Sequence, residues 1–540
     1  MTANVTVAAE APVGEGGRAP EGASRRSDAV FAAVVVAALP VFLWFGRHHW
    51  FFLDEWWGLG RSEAWHPGYL DGHNGHWLTL TRVQYRLTFE LFGLRTYLPY
   101  QLPTVVAHLG TAVLLRQVSR RCGVRAWIAT AVAVAFVFFG TGYENILWGW
   151  QSNTTGSLVC GFALFLLVDG PSAVTRRDWL ALGLGIVGLM TSAAFVGIVV
   201  GLGVTIVLQR GLRVAAFYTV PLATIYLAWY ATYGSESNAV PFMLTTRTLW
   251  FVGRMSWAVF DALAQGGIGV VLLALAGIGL ASALSRAAQS GDWADVALPA
   301  GLTVAWLVFA GMTALGRALV PLSPNAYATS RYVHVGAALL LPVAALGAER
   351  LARRRALLGA LALVPLAIGL PGNVDRMANT PAAFTGGKDT ILAIAHSRYL
   401  DDVPPDTMPL RIGGDLEMPV TADWLSRQVD AGRVPEPDGA DPVRDLTATS
   451  QIVLTQDAGP TDVVGCPPLS ADVPVTLHRG DQLPFDGALS VFVTDRAHTA
   501  FPRSFHSRDG PVIRTLAGPV DVIIRPTPGV PTRLCTPPPG

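Results

Sequence analysis

Two adjacent carboxylates, Asp54 and Glu55, stand just past an apolar run from Ala29 to Phe45, in the stretch Phe51-Phe52-Leu53-Asp54-Glu55-Trp56-Trp57. Carboxylates at the lip of a bilayer are costly unless they are solvated, paired or used. A carboxylate within hydrogen-bond reach of a hydroxyl can take its proton while the oxygen attacks. The pair therefore marks an active site outside the cytoplasm as the first hypothesis. Glu55 could orient an acceptor, bind a metal or raise the pKa of Asp54 by repulsion. The ordinary alternative is a solvated pair matched by Arg61 or Arg82. His73 and His76 follow in Gly72-His73-Asn74-Gly75-His76-Trp77. With Asp54 they could hold a divalent cation; the alternative is polar loop residues or contacts to an acceptor.

A second loop reads Gly142-Tyr143-Glu144-Asn145-Ile146-Leu147-Trp148-Gly149-Trp150-Gln151. Aromatic faces beside an amide and a carboxylate suit a sugar, whose C–H faces stack while its hydroxyls need hydrogen bonds. Glu144, Trp148 and Gln151 are the candidates there, against the alternative of an interfacial aromatic belt. Asn153-Thr154-Thr155 matches a glycosylation sequon but sits at a span edge and is set aside. A third loop ends in Ser330-Arg331-Tyr332. Arg331 enters the membrane against the usual charge bias, and a lipid phosphate is a natural partner for its forked donors. Tyr332 and Arg317 join it as phosphate candidates; the alternative is snorkelling to headgroups. His108 and His334 lie within spans and read as hydrogen bonds between packed helices.

The elements that must position these residues are membrane helices. Of 540 residues, 51% are hydrophobic and only 14% charged, well below the roughly 25% of soluble domains. The net charge of +1 gives no field for nucleic acid. Spans are expected at 29–46, 99–116, 126–142, 153–169, 178–191, 194–209, 214–232, 267–285, 294–313, 332–348 and 356–371, about eleven in all. The fifth and sixth could instead form one re-entrant hairpin. Residues 245–265, with Trp250, Trp257 and Phe260 interrupted by Arg254, Asp261 and Gln265, read as an amphipathic helix on the outer face. Lys388 is the only lysine, so sidedness is read from arginine. The clusters at 25–26, 116–125, 176–177, 210–213, 286 and 350–355 fall on one side if the N-terminus is cytoplasmic. The C-terminus then lies outside.

Residues 1–27 have no packable pattern and read as a disordered cytoplasmic tail. Residues 28–372 form the membrane domain, with a first outer loop at 48–98. A loop that long is usually functional or disordered, and its aromatic content argues against disorder. Within it Leu78, Val83, Leu87 and Leu91 predict a surface helix ending at Phe92-Gly93. From 373 to 540 Pro, Asp, Thr and Val dominate. A short helix at 391–400 and strands at 451–455, 474–478, 489–493 and 520–524 suggest a small β-rich soluble domain, with an extended Pro-rich tail from Pro526. Cys466 and Cys535 both fall in it, where they could form a disulfide outside the cytoplasm.

A first span, an acidic pair, a Gly-His loop, an amphipathic helix ending in Leu91-Phe92-Gly93-Leu94 and an Arg-bounded second span resemble the GT-C glycosyltransferases. The likeness covers about residues 30–121 and is nearest to the branch of protein O-mannosyltransferases and lipid A aminoarabinose transferases. The resemblance implies an all-α polytopic fold in the plasma membrane and a sugar donor carried on polyprenyl phosphate. It implies Asp54 as general base and Arg331-Tyr332 at the donor phosphate. The acceptor would be an envelope glycan, lipid or protein, the transfer hexosyl or pentosyl, and some relatives use a divalent cation. Other readings are a transporter or flippase of lipid-linked glycans, and a non-catalytic scaffold for envelope assembly.

Overall fold

The computed structural model describes residues 21–60, 68–234, 245–317, 325–381, 384, 387–412, 416–457, 466–495 and 497–535. Arg61, Trp65 and residues 1–20 of the expected tail lie outside the described residues. In chain order the helices of the membrane part are α1 (Glu21–Phe45), α2 (Asp54–Gly60), α3 (Thr79–Phe92), α4 (Leu98–Arg121), α5 (Ala126–Val137), α6 (Glu144–Leu147), α7 (Ser152–Leu167), α8 (Arg176–Leu189), α9 (Ala194–Arg210), α10 (Leu212–Trp229), α11 (Thr246–Ala264), α12 (Gly269–Ser290), α13 (Ala294–Arg317), α14 (Ser330–Arg354) and α15 (Ala356–Ala378). α1 begins inside the segment expected as tail.

All eleven expected spans fold as helices, but their lengths differ. Among the described residues, seven are long and apolar enough to cross a membrane: α1, α4, α10, α12, α13, α14 and α15. α5, α7, α8 and α9 have only 12, 16, 14 and 17 residues, short of the roughly 20 that a full crossing needs. The expected span at 126–142 is cut at Val137, after which the chain folds back through two short 3-10 turns and α6. α14 is the hub: 89% of its apolar window is buried.

The bundle has two chemically distinct ends. At one end, Arg116 pairs with Asp28 at 2.6 Å, and Glu349 receives Arg125 at 3.0 Å and Arg353 at 2.8 Å. Arg210 pairs with the buried Asp178 at 2.6 Å there. The first loop and the β-rich C-terminal part cover the opposite end. α11 packs on α12, α13, α14 and α15 toward that second end. Arg254 reaches Tyr327 just before α14 (2.6 Å), while the Ala262 carbonyl accepts from Asn373 near the end of α15 (3.0 Å).

α3 forms where the leucine spacing predicts and stops at Gly93, whose φ of 57° suits a residue without Cβ. Its orientation reverses a simple core reading. Tyr85 and Phe89 are buried, whereas Leu87, Leu91 and Phe92 are exposed beside Leu98 and Leu102 of α4. An apolar edge turned outward next to a membrane helix is the geometry of a helix lying in the interface.

Beyond α15, the soluble part contains α16 (Lys388–Ala395), α17 (Ala422–Asp430) and α18 (Pro442–Val453). The first loop carries β1 (Gly72–His73) and β2 (His76–Trp77). The soluble part continues with β3 (Arg411–Ile412), β4 (Leu416–Glu417), β5 (Leu454–Asp457), β6 (Val473–Leu477), β7 (Gln482–Asp486), β8 (Ala488–Val493), β9 (Arg503–His506), β10 (Val512–Thr515), β11 (Val520–Pro526) and β12 (Arg533–Leu534). Two four-stranded antiparallel sheets, β12-β7-β10-β5 and β6-β11-β8-β9, enclose one core. Alternation explains the pleat: Val520, Val522 and Ile524 are buried while Asp521 faces out. The expected strand at 451–455 is a correction, because Gln451–Val453 finish α18 and pairing starts at Leu454. Cys466 and Cys535 are joined as a disulfide.

The soluble part shares its core with the first loop. Phe89 stacks on Trp424 at 5.5 Å, Leu94 donates to the Arg433 carbonyl at 2.7 Å, and Arg433 pairs with Glu90 at 2.7 Å.

Candidate functional site

The first loop folds back over the bundle and sets Asp54 at the rim of a cleft. Leu53, the residue before it, has φ 46°, a conformation that non-glycine residues adopt at a cost of roughly 1–2 kcal/mol. The bend lets α2 start with both carboxylates in its first turn, where the helix dipole favours them. The two side chains then diverge.

Asp54 turns to the cleft, with a quarter of its side chain exposed, and its Oδ1 lies 3.1 Å from His73 Nε2. Burial alone would raise its pKa. The His73 hydrogen bond and charge, with Arg331 and His76, outweigh burial and hold the carboxyl below its ordinary value. Asp54 is therefore ionised at neutral pH. Glu55 turns away into a closed cage beneath. It is fully buried, accepts from Tyr85 at 2.5 Å and Tyr97 at 2.8 Å, and takes the Phe52 N–H at 2.7 Å. Burial pushes its pKa up to about 7 in spite of these donors. Glu55 does not line the cleft; it fastens the turn that aims Asp54.

The histidines sit on a hairpin. Asn74 and Gly75, at φ 50° and 77°, form the two-residue turn between β1 and β2, with His73 paired to His76 across it. Asn-Gly between short strands is a strong hairpin signal. His73 rests near Trp57 and Trp150, with ring centroids 5.7 and 5.9 Å away. His76 Nδ1 accepts the Ala193 N–H at 3.2 Å and lies 3.0 Å from Ser192 Oγ. Burial lowers its pKa to about 4, helped by His73 and Arg331. It is thus a neutral imidazole whose proton is on Nε2.

The three candidate metal ligands do not form a metal site. Asp54 and His73 touch, but His76 spends Nδ1 on the α8–α9 turn. Among the described residues, no group of three or more His, Cys, Asp or Glu is arranged to hold an ion.

The opposite wall carries the cations. Arg317 ends α13 and Arg331 opens α14; both line the cleft with Tyr332. Glu144 accepts the Arg331 N–H at 3.2 Å and lies 3.7 Å from its Nε. Burial raises the Glu144 pKa against the pull of Arg331. Arg331 Nε itself makes no hydrogen bond. Its guanidinium carbon is 5.9 Å from the Trp148 ring centre. Glu144 and Trp148, read from sequence as sugar contacts, instead seat Arg331. Gln151 does line the cleft.

Asn74, Trp150, Asn153, Thr154, Ser192 and Ala194 also line the cleft, with apolar Leu78, Phe309 and Val335, and the sequence assigned none of them to the site. The sequon residues Asn153 and Thr154 were set aside, yet they form the first turn of α7. Ala194 opens α9, and Arg331 and Tyr332 open α14. Three helices, α7, α9 and α14, therefore present their N-termini to one cleft, each end equivalent to about half a positive charge. With two guanidiniums added, the wall facing Asp54 is built to hold an anion.

His108 and His334 behave as expected, bonded to one another at 3.0 Å between helices. Arg82 donates to the Gly68 carbonyl, and Asp54 meets His73.

No protein-family model matches the chain, and no curated protein matches it. Among solved structures, the chain is similar to ArnT of Cupriavidus metallidurans in the apo state, at 13% identity over 77% of this chain and 90% of that one, with a TM-score of 0.46. It is also similar to ArnT of the same organism bound to undecaprenyl phosphate, at 16% identity over 76% and 89%, with a TM-score of 0.36.

Proposed function

We propose that this protein transfers a sugar from a polyprenyl-phosphate donor to a hydroxyl group of an envelope glycan, lipid or protein. The cleft would face the extracytoplasmic side, because the arginine clusters gather at the other end of the bundle and such clusters mark the cytoplasm. The N-terminus is then cytoplasmic and the soluble domain outside. One observation carries the reading: a single ionised carboxylate faces Arg317, Arg331 and three helix N-termini across one cleft at the end of a membrane bundle.

That opposition matches the chemistry. The acceptor oxygen bonds to the anomeric carbon as the bond from that carbon to the phosphate oxygen breaks. Asp54 takes the acceptor proton. Charge growing on the departing phosphate falls on Arg331 and Arg317, preorganised by Glu144 and the helix ends. His76 offers a neutral Nε2–H for a phosphate oxygen or a sugar hydroxyl. The lining cavity measures only about 90 Å³, against roughly 300–1,000 Å³ for ligand sites, so the donor head must part the side chains that now close it.

The test is a lipid profile. In a deletion strain, mass spectrometry should find one polyprenyl-phosphate monosaccharide accumulating. Wild type restores the pool; Asp54→Asn does not, with transfer reduced by about 10²–10⁴, the usual worth of a general base. An unaltered lipid pool, or full rescue by Asp54→Asn, refutes the proposal.

A further inference from the structure

A second cavity opens at the other end of the bundle, between the start of α1, the α4–α5 turn and the α14–α15 junction. Its volume is about 680 Å³. Small residues hollow it out: Ala126, Ala352, Ala356, Gly359 and Ala360 line it, with Leu363 deeper along α15. Neighbouring Leu357, Leu361 and Val364 are exposed, as side chains facing lipid would be. The slot thus runs along the surface that α15 offers to the acyl layer.

Its polar end is cationic. Arg120 and Arg125 line it, and Trp127, 48% exposed, stands beside them at interface height. The nearby carboxylates are already matched: Glu349 by Arg125 and Arg353, Asp28 by Arg116. Among the described residues, Arg120 makes only a long bond of 3.4 Å to the Val124 carbonyl. Arginines that merely mark topology need no cavity, and an apolar slot needs no arginines. Both occur together here, and basic pockets between membrane helices suit anionic headgroups.

We infer that this cavity seats one anionic diacyl phospholipid, its phosphate at Arg120 and Arg125 and an acyl chain along the α15 slot. The inference does not rest on the sugar-transfer reading. The full-length protein, purified in a neutral detergent and stripped of lipid, is titrated with phosphatidylglycerol, phosphatidylcholine or undecaprenyl phosphate and read by native mass spectrometry. One phosphatidylglycerol should bind, at least about fivefold more tightly than phosphatidylcholine. Arg120→Gln should weaken it about fivefold, the weight of one basic side chain at a membrane surface. Ala360→Phe should fill the exposed slot and abolish retention, with an unchanged melting temperature in lipid-free detergent. Equal retention of phosphatidylcholine, full retention by Ala360→Phe, or preferential uptake of undecaprenyl phosphate in an Arg120-dependent manner would each overturn the assignment. Should Ala360→Phe fail to fold, the lipid preference of wild type and Arg120→Gln decides alone.

Discussion

Glu55 offers a sharp test of how the first loop is held. Its carboxyl is 0% exposed and meets three donors, Tyr85, Tyr97 and the Phe52 N–H. Burial sets its pKa near 7, against an ordinary 4.5. In the unfolded chain the group loses its proton near 4.5; in the folded protein it keeps it until about 7. Between those values the folded state binds the extra proton, so stability must fall as pH rises through the window. The full difference is about 3 kcal/mol, at 1.36 kcal/mol per tenfold change in the proton equilibrium. Glu55→Gln keeps the shape and removes the titration. Melting temperatures followed by tryptophan fluorescence from pH 4.5 to 8, in one nonionic detergent, should give a descending curve for wild type and a flatter one for Glu55→Gln. The variant should be the weaker protein at the acid end, where a protonated acid serves the cage better than an amide. It should equal or exceed wild type at the alkaline end. Other titrating groups contribute alike to both curves, so their difference isolates Glu55. Parallel curves would refute the buried, proton-holding cage.

Two further outcomes follow from the same geometry. His73→Ala removes the hydrogen bond that helps keep the Asp54 pKa low, so the acid limb of the rate profile should move to higher pH; a limb that stays in place refutes His73 as the partner of Asp54. Arg210→Met strands the Asp178 carboxylate, whose side chain is 3% exposed, and should destabilise the protein by about 3–5 kcal/mol; thermal melting should show Asp178→Asn with Arg210→Met recovering much of that loss, and no recovery would refute the pairing.

The parts of the site legible in sequence are those fixed by local pattern. Asp54 is marked by its place after an apolar run, α3 by leucine spacing and a glycine stop, and Arg331 by a charge at the wrong edge of a span. Other roles depended on distant partners. Nothing near Glu55 in sequence says that Tyr85 and Tyr97 will enclose it. Nothing near Glu144 says that the first turn of α14 will claim it. The Asn74-Gly75 turn was readable, and it alone would have placed His73 opposite His76 across a hairpin. Helix lengths were less legible for a related reason. α5, α7, α8 and α9 stop short of the apolar runs that mark them, because turns that depend on distant packing end them, and composition does not show where such a run breaks.

The division into a membrane domain and a soluble domain also conceals a dependency. Trp50 donates to the Phe384 carbonyl at 2.8 Å, and Phe52 packs on the Phe384 ring with centroids 5.1 Å apart. Gly60, at the end of α2, lies so close to the Pro419 carbonyl that a Cβ there would collide with it. Both ends of the segment that carries Asp54 are thus clamped by residues more than 300 positions downstream. A flexible loop would spread a carboxylate over many orientations, and misplacement by about 1 Å can cost a hundredfold in rate. The soluble part therefore has a physical role before any acceptor is considered: it completes the core on which α2 is oriented. A hydrophobic seam of this kind, in which Trp424 and Phe89 stack face to face, resists the hinge motion that loosely joined domains show. The cationic wall is tied to the same seam, because Trp148, which carries the Arg331 guanidinium, also packs on Phe52 and Phe384.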